Sequence, residues 1–340
     1  MKHKLPNIMT TYDVIGLGSP LMDITIQVDD KFLEELNLKK GGMTLIDEKM
    51  YSNIISKISD KKTLESTGGS ASNTIKGVSV LGGKSAFMGM IGNDTYGTHY
   101  NNLLSDSNVA SFLSKCESHT GLSIICITPD YERTMITYLG AATEFSENDI
   151  NKKAIMESKI LHVEGFFIEL EKNANSVLTA MKIAKENNVK ISMDLSDSGL
   201  IQRKNGLLKQ IMTDYVDIVF VNEHEALAFT GQKEKEALHA LSNYCDISIV
   251  KLGSKGSLIK YVDKINNKYA VHDIPIHKVE VVNTNGAGDA YAAGILYSIA
   301  NNIPLDKAGK LASYISGKVV GIDAATIDTI SKDDIRKVLE

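Results

Sequence analysis

The chain has 340 residues, enough for one large domain or for a large domain with a small appendage. Hydrophobic residues make up 43% and charged residues 23%, and the net charge of -5 comes without a lysine or arginine run, which argues against nucleic acid as a partner. No apolar run approaches the roughly 20 residues of a membrane span, and the start "MKHKLPNIMT" lacks the apolar segment of a signal peptide.

From the amino terminus, "YDVIGLGSPLMDITIQV" predicts two strands, or one bent strand, around a glycine-rich turn. "KFLEELNL" reads as a short helix and "KKGGMTLID" as a turn and a strand. Met50, Ile54, Ile55 and Ile58 have helical spacing. "GGSASNTIKGVSVLGG" carries Ser and Asn at its head and a glycine pair at its tail, which predicts a capped helix. "KSAFMGMIG" predicts a buried strand, and "TYGTHYNNLLSDSN" a helix. Two β-rich runs around Pro129-Asp130 predict a hairpin.

After residue 145 helical and apolar segments alternate, the signature of a parallel sheet covered by helices. A last β-rich piece, "GSLIKYVDKINNKYAVHDIP", precedes terminal helices. The expected fold class is therefore α/β, with a mainly parallel central sheet and helices on both faces. The β-rich pieces 17–48 and 110–141 interrupt this rhythm and are expected to pair as a small β lid. Residues 1–16, 49–109 and 142–340 would form the large domain. The lid strands could also pair with a second subunit's, so a monomer or a homodimer through the lid fits.

Cys116, Cys126 and Cys245 are scattered without CxxC spacing, which fits a reducing cytoplasm better than a disulfide framework or a zinc site. His224-Glu225 opens like HExxH, but Leu227 and Ala228 follow and no second histidine arrives. Three glycine signals compete for a phosphate. "GLGSPL" at 16–21 lacks the third glycine of a dinucleotide fingerprint, and Pro20 falls where the helix should open. "LGGKS" at 81–85 has Val78 where a P-loop needs its first glycine, and its helix precedes the loop.

"NGAGDAYAAG" remains. Gly286, Ala287 and Gly288 offer bare amides at a helix start, where the dipole favours an anion. Asp289 lies in the first turn, where the same dipole helps to keep it ionised. A carboxylate beside an anion cradle can take a proton from a hydroxyl that attacks phosphorus. An ordinary helix cap accounts for these residues equally well when they are read alone.

"NTNGAGDAYAAG" resembles the carboxy-terminal signature of the PfkB, or ribokinase-type, carbohydrate and nucleoside kinases. "GGSASNTIKGVSVLGG" with "MIGNDTYG" resembles their amino-terminal signature, "VNEHEA" their Asn-x-x-Glu motif, and "VKLGSKG" their nucleotide segment. The matches come in the family's order over about residues 13 to 325. The resemblance implies a ribokinase-like fold and a cytoplasmic, ATP- and Mg²⁺-dependent kinase acting on a hydroxymethyl group. It makes Asp289 the catalytic base and Gly286, Ala287 and Gly288 the anion hole. Asn222 and Glu225 would hold Mg²⁺ and phosphates through water, with Gly253 and Gly256 beside the nucleotide.

Asp23 would bind sugar hydroxyls, Gly68 and Gly69 would form a substrate-side hinge, and Asn73 would add a polar contact. Read alone, "NEHEA" is a capped helix start, Asp23 a strand-end residue and Asn73 an exposed helical asparagine. Many family members carry aspartate where this chain has Asn283, a lost charge that bears on loop order or on the monovalent cation that some members use.

"KKGGMTLID", "ESTGGSASNT", "ERTMITYLGAA" and "NTNGAGDA" look closest to the adenosine-kinase-like branch. The expected acceptor is the 5'-hydroxyl of adenosine or a related ribonucleoside, with Phe166, Phe167 and Tyr138 as candidates to line a base slot. A free sugar of the ribose or fructose type would need the same Asp23 and Asp289. A non-catalytic nucleoside- or sugar-binding protein is the other alternative, favoured only by Asn283.

Overall fold

The computed structural model describes residues 10–263, 266, 268–327 and 329–340; most of the stretch read for a signal peptide and part of "DKINN" lie outside these residues. In chain order the strands are β1 (Tyr12–Leu17), β2 (Leu21–Gln27), β3 (Met43–Leu45), β4 (Leu64–Gly68), β5 (Ser85–Gly92), β6 (Val109–Cys116) and β7 (Gly121–Ile127). They continue as β8 (Arg133–Tyr138), β9 (Ser158–Glu164), β10 (Lys190–Asp194), β11 (Ile218–Asn222), β12 (Ile247–Lys251), β13 (Ser257–Asp263) and β14 (Lys268–Ile274).

Apolar runs such as "IVFV" in β11 are buried throughout, as expected of strands covered on both faces. Successive side chains feed opposite layers. Val219 and Val221 pack with the helices Glu171–Glu186 and Ser198–Asp214. Ile218 and Phe220 pack with the layer that holds the helices Ser70–Val80 and Ala287–Ala300. Among the described residues the large sheet has nine strands, ordered β14-β13-β12-β11-β10-β9-β1-β5-β6. It is parallel except along the β12–β13–β14 meander. Chain order reverses between β1 and β9, and such sheets bind ligands outside the carboxyl ends of the strands at that point.

The small sheet has the order β3-β8-β7-β2-β4. The two β-rich pieces do pair, β2 running parallel to β7, and β7 and β8 form the expected hairpin. Two strands lie in a different sheet from the one their position in the chain suggested. β4 ("LESTG", within 49–109) joins the small sheet against β2; its sequence is polar, so no apolar alternation announces it. β6 (within 110–141, apart from its first residue) joins the large sheet beside β5, because the helix Thr95–Asp106 makes a right-length crossover between parallel neighbours.

The helices Ser70–Val80 and Ala287–Ala300 pack unusually close. A Cβ added at Gly77 would lie 2.6 Å from the Ala293 Cβ, nearer than two carbons can sit. Both helices carry small residues along the seam, and this brings their amino-terminal ends together. Gly77→Ala should therefore push the helices apart and destabilise the protein by about 1–3 kcal/mol, read as a lower Tm in thermal denaturation.

Candidate active site

The helix Ala287–Ala300 starts at Gly286, whose φ of +74° is left-handed. A side chain there would also collide with the Ala325 carbonyl, since an added Cβ would sit 1.9 Å from its oxygen. Asp289 is the third residue of this helix. Its Oδ1 accepts a 2.7 Å hydrogen bond from Ser70 Oγ and its Oδ2 a 3.2 Å bond from Asn73 Nδ2. Thr74 Oγ1 donates to its backbone carbonyl at 3.3 Å. The Ser70–Val80 helix thus grips Asp289 along its first turn. Gly69 caps that helix without a side-chain bond, where Ser and Asn had been expected to cap it. The Ser70 hydroxyl is spent on Asp289 instead.

Burial pushes the Asp289 carboxyl up to about 7, against the pull of the Ser70 and Asn73 hydrogen bonds; Asp194 adds to the rise and Lys251 opposes it. The helix dipole was expected to keep this group ionised, but desolvation outweighs it. A group near neutrality suits a base that must both take and release a proton. Asp23, on β2, is likewise pushed to about 7 by burial, against a Ser123 hydrogen bond and the Lys76 charge. Its carboxylate lies directly over Gly68: a Cβ there would stand 2.1 Å from Asp23 Oδ1. Gly68 is thus a clearance for the Asp23 side chain.

Two cavities meet at the turn before the helix Ala287–Ala300. One, about 750 Å³, is lined by Asp23, Thr67, Lys76, Arg133, Asn283 and Asn285. The other, about 520 Å³, is lined by Asn222, Gly253, Gly256, Ala287 and Gly288, with apolar walls that include Ile276 and Val320. The turn 283–285 serves both, with Asn283 and Asn285 facing the first and Thr284 the second, and Asp289 lies behind it, lining neither. Glu225 stands behind the second cavity, 4% exposed, with Asn222 N donating to its Oε2 at 2.8 Å and Asn222 Nδ2 to its Oε1 at 2.6 Å. Burial raises its pKa, and Asp194 adds to the rise.

The profile of the pfkB family carbohydrate kinases matches residues 42–331. This chain belongs to that family. It is a phosphotransferase with an alcohol group as acceptor, built on the ribokinase-like fold. Adenosine kinase 2 of Arabidopsis thaliana is 28% identical over 337 residues, which cover 92% of this chain and 95% of that protein. The structure of adenosine kinase from Sinorhizobium meliloti superposes with a TM-score of 0.82 at 31% identity, covering 93% of this chain and 96% of the other. A probable sugar kinase from Rhizobium etli CFN 42 superposes with a TM-score of 0.85 at 30% identity, covering 98% and 100%. The kinase is adenosine-kinase-like, with a sugar-kinase likeness beside it.

Several buried polar residues around these carboxylates stand out only in the structure. Glu164 closes β9, 2% exposed, and receives Ser19 N on Oε1 at 2.7 Å and Ala71 N on Oε2 at 2.8 Å. It ties the turn after β1 to the helix that grips Asp289. Asp194 closes β10 and pairs with Lys251, at the end of β12, at 2.8 Å. The available signal was an acidic residue ending an otherwise apolar strand, as in "KILHVE" and "VKISMD". Ser70 follows the glycine pair, where the sequence suggests only a helix cap.

Of the aromatic candidates, Tyr138 belongs to the core, stacked on Tyr51 at 4.4 Å and donating to Glu48. Phe167 also belongs to the core, edge-on to Phe145 at 5.6 Å. Phe166 is 42% exposed beside Leu139 and Leu170. Among the described residues no helix is long and apolar enough to cross a membrane.

A base at Asp289, and a carboxylate at Asp23 that accepts two hydroxyl hydrogen bonds, each require the ionised form, and both groups are shifted to about 7. With both roles in force, a plot of log kcat/KM against pH should fall on the acid side of about 7 with a slope steeper than one, whereas a slope of one would leave a single carboxyl in control.

Proposed function

We propose that this kinase transfers the γ-phosphate of ATP to the 5'-hydroxyl of adenosine or a related ribonucleoside, with Asp289 as the base. The observation that carries this reading is the turn 283–285, which lines two cavities and leads straight into the helix start that bears the Gly286–Gly288 amides and the Asp289 carboxylate. The nucleotide lies along the cavity of Asn222, Gly253 and Gly256, and the acceptor lies on the Asp23 side. Asp23 takes two hydroxyl hydrogen bonds from the ribose diol. Asn73 Oδ1, buried and without a hydrogen-bond partner among the described residues, can receive the hydroxymethyl group. Phe166 and Leu139 offer an apolar edge for the base.

As the acceptor oxygen approaches phosphorus, Asp289 removes its proton. The new O–P bond forms, the bond from the γ-phosphorus to the bridging oxygen breaks, and ADP leaves. Amides of Gly286 and Gly288 face the charge that develops on the phosphoryl oxygens, and the Ala287 amide joins them by giving up its long 3.4 Å bond to the Thr284 carbonyl. The donors near the nucleotide cavity suit a hydrated Mg²⁺ held through water: Glu225 has both oxygens engaged by Asn222, and a carboxylate keeps further lone pairs for water. Mg²⁺ supplies charge neutralisation on the phosphates when bound. Asn222 and Glu225 position the nucleotide, and closure of the small sheet over the Asp23 side would exclude water and limit ATP hydrolysis.

A free furanose is the second reading, favoured by the likeness to a probable sugar kinase. The binding-protein alternative rested on Asn283, whose Oδ1 accepts from Asn285 N at 3.0 Å, a turn bond that an aspartate would also make. The neutral side chain therefore keeps the loop that precedes the base.

A panel of adenosine, inosine, ribose and fructose, each with ATP and Mg²⁺, separates these readings. Acceptor-dependent ADP release greatest with adenosine supports the nucleoside reading; release greatest with ribose or fructose replaces it. Asp289→Asn should lower kcat about 10²–10⁴-fold. The folded carboxyl titrates above its ordinary 3.8, at about 7, so its ionisation costs stability as pH rises through that window. The Asn variant escapes that loss, and its Tm at pH ~8 should not fall below wild type. A near-normal kcat in the variant would remove Asp289 from the role of base.

A further inference from the structure

We propose that Lys251 is a further catalytic residue of this kinase, whose ammonium contacts the γ-phosphoryl group at the tip of the helix Ala287–Ala300. The inference rests on the kinase reading above and adds a group that none of the recognised motifs assigned. Lys251 ends β12, in register with Asn222 on β11, so the strand delivers it to the carboxyl edge of the sheet. Its side chain is 17% exposed, and Nζ lies 2.8 Å from Asp194 Oδ2. A Cβ added at Gly288 would lie 3.1 Å from Nζ, which sets the ammonium against the amides of the proposed anion hole. The same side chain lines the nucleotide-side cavity, where it is the one lysine or arginine among the described residues.

A salt bridge alone is a weak reason for a buried lysine at this place. Burial opposes the ammonium, and a buried pair often stabilises no more than two apolar side chains would. Three carboxylates, Asp194, Glu225 and Asp289, act on this one cation. The site is therefore rich in negative charge before any phosphate enters, and a triphosphate needs a local positive group. An ammonium has three donors, and Asp194 takes one. The others can follow the phosphoryl oxygens as they move from ADP to the acceptor, while the backbone amides cover the opposite side. Gly288 makes this possible, because a side chain there would crowd the ammonium.

The contact is to the γ-phosphoryl alone, so it separates two nucleotides. Lys251→Met, with Mg²⁺ present, should bind the triphosphate analogue AMP-PNP about tenfold more weakly while ADP affinity stays within about threefold, by calorimetry. Its kcat should fall more than its KM for the acceptor. The single variant leaves Asp194 unpaired, so Asp194→Asn/Lys251→Met provides a version in which both charges leave together and folding is retained. It should show the same selective loss for AMP-PNP. An unchanged ratio of AMP-PNP to ADP affinity in either folded variant overturns the proposal and leaves Lys251 as a partner of Asp194 only. The binding measurement does not depend on the acceptor. If wild type binds both nucleotides yet phosphorylates no member of the panel, the acceptor reading fails while Lys251 is still judged.

Discussion

Two helix starts converge on one carboxylate, and most of the site follows from that contact. Asp289 belongs to the first turn of one helix and is held by Ser70 and Asn73 from the first turn of another. The approach depends on side chains that are nearly absent, with Gly77 against Ala293 along the seam and Gly286 against the Ala325 carbonyl at the tip. Glu164 completes the arrangement by fastening Ser19 and Ala71, so the turn after β1, the end of β9 and the gripping helix form one unit. These three elements surround the point where strand order reverses.

Burial of charge is the second organising feature. Asp23, Glu164, Glu225 and Asp289 are all pushed upward by desolvation, and Lys251 is held above its usual range because Asp194 and its neighbours outweigh the cost of burying it. Burial away from water strengthens each interaction made there with a phosphate or a hydroxyl. The same setting makes each carboxylate costly to hold without a ligand. Active sites commonly keep strained charge of this kind, and substrate binding relieves it.

The large sheet was legible because apolar strands alternate with amphipathic helices after residue 145, and the helix tip was legible because glycines precede an aspartate in "NGAGD". β4 was not, because "LESTG" buries only its last two residues and pairs through backbone bonds that leave no trace in side-chain type. The sheet that β6 joins is not legible either, because apolar alternation reveals a strand but not its neighbour. Asp23, Asn73, Asn222 and Glu225 are candidates through resemblance; physical reading alone leaves each with an ordinary structural alternative. Ser70, Glu164, Asp194 and Lys251 come from four distant segments, and only folding brings them together. The substrate is the least legible part. Phe166 stays exposed while Phe167 and Tyr138 turn into the core, and strand-end aromatics look alike in sequence.

The central claim is spatial: phosphoryl transfer takes place at the tip of the helix Ala287–Ala300, with the accepting hydroxyl on Asp289. A crystal structure with ADP, Mg²⁺, aluminium fluoride and adenosine tests it most directly. The account predicts the fluoride group against the Gly286–Gly288 amides and the 5'-hydroxyl within hydrogen-bond distance of an Asp289 carboxylate oxygen. A fluoride group seated away from that turn, or a hydroxyl directed to another residue, would contradict it.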